Sequence, residues 1–238
     1  MAYQNVFERY EIKYLLTIRQ AQMLKAAMNE YMAADKYGKT TICNVYFDTP
    51  DKLLIRRSNE HPIYKEKLRV RSYGVASDSS QVFIEIKKKY KGVVYKRRVG
   101  MDIASARAYL GGGEAVDNKT QIMREISYFM QRYAQLMPSV YISYEREAFL
   151  GKSDSGFRIT FDRNILWRTQ DISLSGDVYG DSLLGGAYVL LEVKTALGLP
   201  TWLTRFLSAN GIFKMSFSKY GSAYKIMTGE GLGGTEIA

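Results

Sequence analysis

Residues 67–71 read KLRVR and residues 83–89 read FIEIKKK, and in both stretches charged and apolar side chains alternate residue by residue. Successive side chains of a β-strand point to opposite faces, so a period of two marks a strand buried on one side. Lys67, Arg69 and Arg71 therefore share a face opposite Leu68 and Val70, while Phe83, Glu85, Lys87 and Lys89 share one opposite Ile84 and Ile86. The alternation recurs at 9–13 (RYEIK), 96–98 (KRR), 157–163 (FRITFDR) and 190–194 (LLEVK). There it groups Arg9 with Glu11 and Lys13, Lys96 with Arg98, Arg158 with Thr160 and Asp162, and Glu192 with Lys194.

Working outward, strands are expected near 7–14, 40–48, 63–73, 80–90, 92–100, 138–149, 156–165 and 187–195, in segments rich in Val, Ile, Tyr, Phe and Thr. The pair 80–90 and 92–100, joined at Lys91-Gly92, reads as an antiparallel hairpin. Helical spacing marks 17–33, with Ile18, Met23, Leu24, Ala27 and Met28 on one stripe, and 117–134, through Ile122, Met123, Ile126, Phe129, Met130 and Tyr133. Shorter helices are expected at 201–208, after Pro200, and at 218–227. Eight strands of similar length with helical connections predict an α+β fold, an eight-stranded antiparallel β-barrel with helices packed outside it. No repeat or linker divides the 238 residues, so a single domain over 1–228 is expected, followed by a flexible tail at 229–238 (GEGLGGTEIA).

Composition narrows the function. One cysteine, Cys43, excludes an internal disulfide framework and a thiolate-built zinc site, and one histidine, His61, excludes histidine-cluster metal sites. Ser-His and Cys-His catalysis are disfavoured on the same ground. With no apolar run near 18 residues and no signal-type hydrophobic region at the N-terminus, a cytoplasmic protein is expected. The formal net charge of +10 points to polyanionic partners.

Alternating charge on one strand is ordinarily the solvated face of a half-buried sheet. Here six strands share the pattern and its content is lopsided toward Lys and Arg, with three of the four acids two residues from a base: Glu11/Lys13, Glu85/Lys87, Glu192/Lys194. Side chains two residues apart on one face stand roughly 6.5–7 Å apart, where like charges in a low-dielectric wall repel unless an anion neutralises them. If the sheet closes, the polar faces converge on a lumen suited to a chain of phosphates. The alternative is an exposed basic hairpin for nucleic acid or a membrane surface at 87–98, which carries seven Lys or Arg residues.

The segments FERYEIKYLL (7–16), VYFDT (45–49), KLRVRSY (67–73), EIKKKYKGVVYKRRV (85–99), ISYEREAF (142–149), RITFDRNI (158–165), LLEVK (190–194) and FSKY (217–220) occur in an order that resembles the polyphosphate polymerase (VTC) domain. That family lies within the triphosphate tunnel metalloenzymes, relatives of the CYTH phosphohydrolases and cyclases. The resemblance implies an eight-stranded tunnel that grips a triphosphate and transfers the γ-phosphoryl group of ATP to a growing polyphosphate chain. It implies that Lys13, Arg69, Arg71, Lys87, Arg146, Arg158, Lys194 and Lys219 contact the reacting phosphates. Lys67, Lys89, Lys96, Arg98 and Ser218 are expected as further substrate contacts. It also implies a divalent ion, Mn²⁺ or Mg²⁺, held by Glu192 with Glu11 beside it.

Two departures from the relatives matter. The hydrolase and cyclase branch carries Glu-x-Glu-x-Lys near its N-terminus, and this chain has Arg9 at the first of those positions, which disfavours a two-metal hydrolytic site. The membrane-spanning tail of the fungal complexes has no counterpart in the sequence, so any membrane partner is expected to be a separate protein. Glu145 and Glu147 are expected to form outer-face ion pairs. Asp48 and Asp162 are expected either near the metal or in turn-capping and pairing with Arg, Gly111-Gly112-Gly113 as a turn, and His61 in a loop. Three functions stay open: an ATP-dependent polyphosphate polymerase, a triphosphate hydrolase of the same fold, and a non-catalytic polyanion-binding module. ATP and polyphosphate are the expected partners, and nucleic acid is not.

Overall fold

The computed structural model describes residues 10–91, 93–112, 120–133 and 135–231. Chain order is β1 (Tyr10–Thr17), α1 (Ile18–Met28), β2 (Met32–Asp48), α2 (Leu53–Asn59), β3 (Tyr64–Tyr73), β4 (Gln81–Tyr90), β5 (Val93–Asp102), α3 (Ile103–Leu110) and α4 (Gln121–Arg132). It continues with β6 (Met137–Gly151), β7 (Arg158–Arg168), β8 (Asp181–Ser182), β9 (Tyr188–Thr195), α5 (Thr201–Ala209), β10 (Lys214–Met215) and α6 (Lys219–Met227). Arg9, Glu8, Gly92, Gly113, residues 117–119 and most of the expected tail lie outside the described residues.

The fold is α+β and antiparallel, as expected, and all eight expected strands form. They join in the order β10-β1-β9-β7-β6-β2-β3-β4-β5, with the two-residue β8 beside β7. Among the described residues no ladder joins β5 to β10, so hydrogen bonding does not close the sheet into the expected barrel. No helix among the described residues is long and apolar enough to cross a membrane.

The chain divides into two compact units. The first comprises residues 1–40, 144–165 and 182–238. Its core sets Tyr14 and Leu16 of β1, Ile159 and Phe161 of β7, and Val189, Leu191 and Val193 of β9 against Ala21, Leu24 and Met28 of α1 and Leu203 and Leu207 of α5. Thr17 starts α1 with a capping box, its hydroxyl accepting from the Gln20 amide while the Gln20 side chain accepts from the Thr17 amide. The helix ends at Met28, five residues short of the expected limit, because β2 takes up the chain at Met32. Its buried stripe is Ala21, Leu24 and Met28, whereas Ile18 and Met23 are exposed.

The second unit comprises residues 41–143 and 166–181. Leu68 and Val70 of β3 and Val82, Ile84 and Ile86 of β4 form its core with Ile103, Ala106 and Tyr109 of α3 and Met123, Ile126 and Phe129 of α4. Helices α2 and α3 were not expected from the sequence. At seven and eight residues they are too short to display a helical period, and their starts are fixed by carboxylates. Asp48 accepts from the Leu54 and Ile55 amides at 2.9 and 3.0 Å, and Asp102 accepts from the Ser105 amide at 2.8 Å. Asp48 is thus a turn and helix cap.

Candidate functional site

In the second unit the alternation of β3, β4 and β5 carries the expected faces. Leu68, Ile84 and Ile86 are fully buried, and the polar residues between them line up in rungs across the sheet. One rung sets Lys67, Lys87 and Lys96 directly opposite one another. The next holds Tyr46, Arg69, Glu85 and Arg98, and the one beyond it Asn44, Arg71, Phe83 and Gly100. On the other side of the lysine rung, Lys65 faces Lys89. Like charges directly opposite on neighbouring strands destabilise a sheet, and a bound anion removes that cost.

Glu85 is the carboxylate in the middle of these rungs, and its side chain is 1% exposed. Arg69 Nε and Nη2 donate to its Oε2 at 2.8 and 2.7 Å, Lys96 Nζ lies 2.6 Å from Oε1, and Arg71 Nε stands at 3.9 Å. Burial alone pushes the Glu85 carboxyl up, but Arg69, Arg71 and Lys96 outweigh it and bring its pKa down to about 2. The Lys96 ammonium moves down as well, to about 8, because burial and the two guanidiniums outweigh its attraction to Glu85. One carboxylate is shared by three cations drawn from three neighbouring rungs, so these rungs together keep an excess of positive charge. Arg69 also donates to the Tyr46 hydroxyl at 3.0 Å, and Arg71 to the side-chain Oδ1 of Asn44 at 2.9 Å. The Arg98 guanidinium lies 4.4 Å from the centre of the Phe83 ring. Gly100 leaves room for that ring, since a Cβ there would come within 3.2 Å of it.

The first unit gathers a second cluster on β1, β9, β7 and β6. Lys13, Glu192 and Thr160 form one rung, and Glu11, Lys194 and Arg158 the next. Arg146 grips Asp162 with two hydrogen bonds of 2.6 and 2.7 Å and donates to Glu192 Oε2 at 3.0 Å. Lys219 Nζ lies 2.6 Å from Asp162 Oδ2 and 3.1 Å from Glu192 Oε1. Arg146 and Lys219 both lie over the Tyr144 ring, at 5.1 and 4.5 Å. Burial pushes the Glu192 carboxyl up, but Lys219, Arg146, Lys13 and Lys194 hold it well below its usual range. Arg146 and Lys219 rise in turn: burial lowers each, and their carboxylate partners more than reverse it. A buried network of this kind costs about 3–5 kcal/mol when one member is removed, because the others are left uncompensated. Arg158, two-fifths exposed, reaches Asp35 at 3.3 Å.

The two expected metal ligands can be tested against this geometry. Lys13 Nζ donates to the Phe217 carbonyl at 2.7 Å and stands 3.3 Å from Glu11 and 3.9 Å from Glu192. Both carboxylates thus approach a single cation position. Among the described residues no three His, Cys, Asp or Glu side chains gather as an all-protein metal cage. Two carboxylates completed by substrate oxygens is an arrangement a hard divalent ion such as Mg²⁺ accepts, and the position that Glu11 and Glu192 both approach is held here by the Lys13 ammonium.

Every site residue named from the sequence except Ser218 lies in one of these two clusters or at an adjoining rung. Ser218 caps α6, accepting from the Gly221 amide at 3.1 Å. Glu145 and Glu147 pair with Lys39 and Lys25 at 2.7 and 2.6 Å, the expected ion pairs. Asp162 turns out to be the carboxylate partner of Arg146 and Lys219. Tyr46, Asn44 and Tyr144 were not anticipated. The first two follow from carrying the alternation of 67–71 across the ladder into NVYF (44–47), which needs the register and not the composition.

The family model of the VTC domain matches residues 8–228. A search of curated proteins finds no significant match. Among solved structures, a candidate adenylate cyclase from Bacillus halodurans superposes with a TM-score of 0.55 at 13% identity, covering 89% of this chain and 95% of that one. A Hippeastrum protein, described as a candidate adenylyl cyclase with a dominant triphosphatase activity, superposes with a TM-score of 0.53 at 15% identity, covering 96% and 99%. Likeness at such identity speaks to the fold alone. The family match covers nearly the whole chain and the strands that carry both clusters, and the chain belongs to the VTC domain family.

Proposed function

We propose that this chain is a metal-dependent phosphotransferase that moves the γ-phosphoryl group of ATP onto a growing polyphosphate chain. The observation that carries the reading is the rung of Lys67, Lys87 and Lys96, opposed in register, with Lys96 sharing the Glu85 carboxylate of the next rung with Arg69 and Arg71. Cationic rows repeated at strand spacing suit a ligand whose negative charge also repeats.

Phosphoryl transfer asks for positioning and charge stabilisation more than for covalent catalysis. In the reaction the bond from Pγ to the ADP oxygen breaks, a bond from Pγ to a terminal chain oxygen forms, and ADP leaves. The attacking oxygen is already anionic at neutral pH, so the step needs no histidine base. Arg69, Arg71, Arg98 and Arg158 supply forked donors for phosphate oxygens, and Lys67, Lys87, Lys89, Lys96 and Lys194 act as point charges. Arg146 and Lys219 are tied to Asp162 and so hold Glu192 in place while facing phosphate. Ser218 anchors Lys219 at the start of α6. Glu192 and Glu11 would hold a divalent ion, Mn²⁺ or Mg²⁺, which when bound neutralises charge on the phosphate oxygens.

Triphosphate hydrolysis is the second reading, favoured by the triphosphatase activity described for the Hippeastrum protein. The test is to incubate the pure protein with ATP and either ion and to stain a gel for polyphosphate. A ladder of chains with matching ADP supports the polymerase. Orthophosphate without chains overturns it in favour of the hydrolase, and absence of turnover with phosphate chains still bound leaves a binding module.

A further inference from the structure

Beyond the lysine rung, at the β3 entry and the β4 exit, His61, Pro62, Ile63, Lys65, Lys89 and Lys91 line an open recess of about 270 Å³. Its charged lining is entirely basic, although Glu60 precedes it in the chain. That is several times the roughly 30 Å³ share of a water molecule, enough for a solvated anionic group.

The recess continues the basic face. Lys65 and Lys89 face each other in the ladder, one rung beyond Lys67, Lys87 and Lys96, and share their side of the sheet. From Arg69 and Glu85 to this rung is four residues along each strand, about 13 Å at strand rise. A nucleotide held at the Arg69 rung does not need it, whereas a phosphate chain lying along the face runs into it.

The backbone at the rim is fixed in an uncommon way. His61 and Lys91 have φ of +53° and +45°, conformations that side chains with a Cβ adopt at a cost. The Lys91 amide donates to the Ile63 carbonyl at 3.0 Å, tying the β4–β5 turn to the segment that enters β3. Lys65 Nζ reaches the Ser58 carbonyl at 3.1 Å, which holds the floor of the recess to the end of α2. The cations are therefore carried on two chain segments joined to each other, and not on loose tails.

We infer that the His61–Lys65–Lys91 recess is a distal anchor for inorganic phosphate chains, engaged by a chain that has grown past the lysine rung and not by ATP. The inference rests on the proposed polymerase reading and adds to it a binding position that controls chain retention. A chain held at both places leaves more slowly than one held at the inner rungs alone, by the effective concentration that tethering supplies. Short products would dissociate freely, and long ones would stay and be extended.

The test uses a triple variant, His61→Asn/Lys65→Gln/Lys91→Asn. Asn tolerates positive φ, so the charges are removed while the rim backbone is kept. Affinities for inorganic tripolyphosphate and for a polyphosphate of about 60 units are measured calorimetrically in wild type and variant, with product length read on gels. The expected result is unchanged tripolyphosphate affinity and ADP release, long-chain affinity weakened roughly tenfold, as the loss of two or three phosphate contacts implies, and shorter products. Unchanged long-chain affinity in the variant overturns the anchor while leaving the inner rungs as proposed. Equal loss of affinity for both ligands overturns it too, since the recess would then belong to the inner site. A wild type that binds neither ligand overturns the polymerase reading and the anchor with it.

Discussion

Replacing Glu85 by Gln removes the charge that three cations share and keeps the volume of the side chain. The carboxyl stands at about 2 against an ordinary 4.5. A depression of that size is worth about 3 kcal/mol of folding stability at neutral pH, at 1.36 kcal/mol per pKa unit. Because the folded-state value is the lower one, this contribution is complete above the ordinary carboxylate range and is lost as pH falls through about 2. Glu85→Gln is therefore expected to melt about 6–12 °C below wild type at pH 7, using the 2–4 °C per kcal/mol typical of chains this long. The gap should narrow steadily from pH 5 to pH 2.5, since wild type loses there what the variant never had. Thermal unfolding at half-unit pH steps measures it. Tripolyphosphate should raise the variant's midpoint more than that of wild type, because the anion supplies the charge that the neutral amide lacks. A gap that stays constant with pH, or tripolyphosphate stabilising the variant less than wild type, would refute the view of Glu85 as the counter-ion of a phosphate-binding face.

Other outcomes follow from the same geometry. Glu192→Gln, which keeps the side chain's shape among Lys219, Arg146 and Lys13, should abolish turnover with either divalent ion while leaving polyphosphate affinity within a few-fold; equal loss of both contradicts its assignment as a metal ligand. Arg69→Ala should weaken ATP binding at least tenfold by equilibrium titration, at about 1.5–3 kcal/mol for a charged hydrogen bond, and an unchanged Kd would mean that this face meets only solvent. Lys96, at about 8, is half deprotonated at pH 8, so anion binding there should draw in about half a proton more in wild type than in Lys96→Arg. Titrations in two buffers of unlike ionisation enthalpy read that difference, and identical uptake in both proteins argues against Lys96 as a phosphate contact.

Strands were legible because burial on one side imposes a period of two that local sequence cannot hide. KLRVR and FIEIKKK gave the faces of β3 and β4 directly, and both apolar sets are buried as read. Helix limits were less legible. Ile18 and Met23 fit an apolar stripe in α1 but are exposed, because the packing face is fixed by β1 and β9 and not by the helix alone. Helices α2 and α3 escaped because their starts depend on Asp48 and Asp102 as caps, and a cap is visible only once the turn is placed. In the candidate site, the types of residue were legible and their partners were not. Nothing in LLEVK announces that Glu192 meets Arg146 and Lys219, since that contact joins β9 to β6 and α6 across long stretches of chain. Tyr46 and Asn44 come to Arg69 and Arg71 through the β2–β3 register, which no local pattern fixes.

The most direct test of the central claim is a phosphorus NMR time course of the pure protein with ATP and Mg²⁺. The account predicts that the γ-phosphate signal of ATP falls while mid-chain phosphate signals grow, with ADP formed in equal amount to the phosphoryl groups transferred. Growth of orthophosphate alone, with no mid-chain signal at any time, would contradict it.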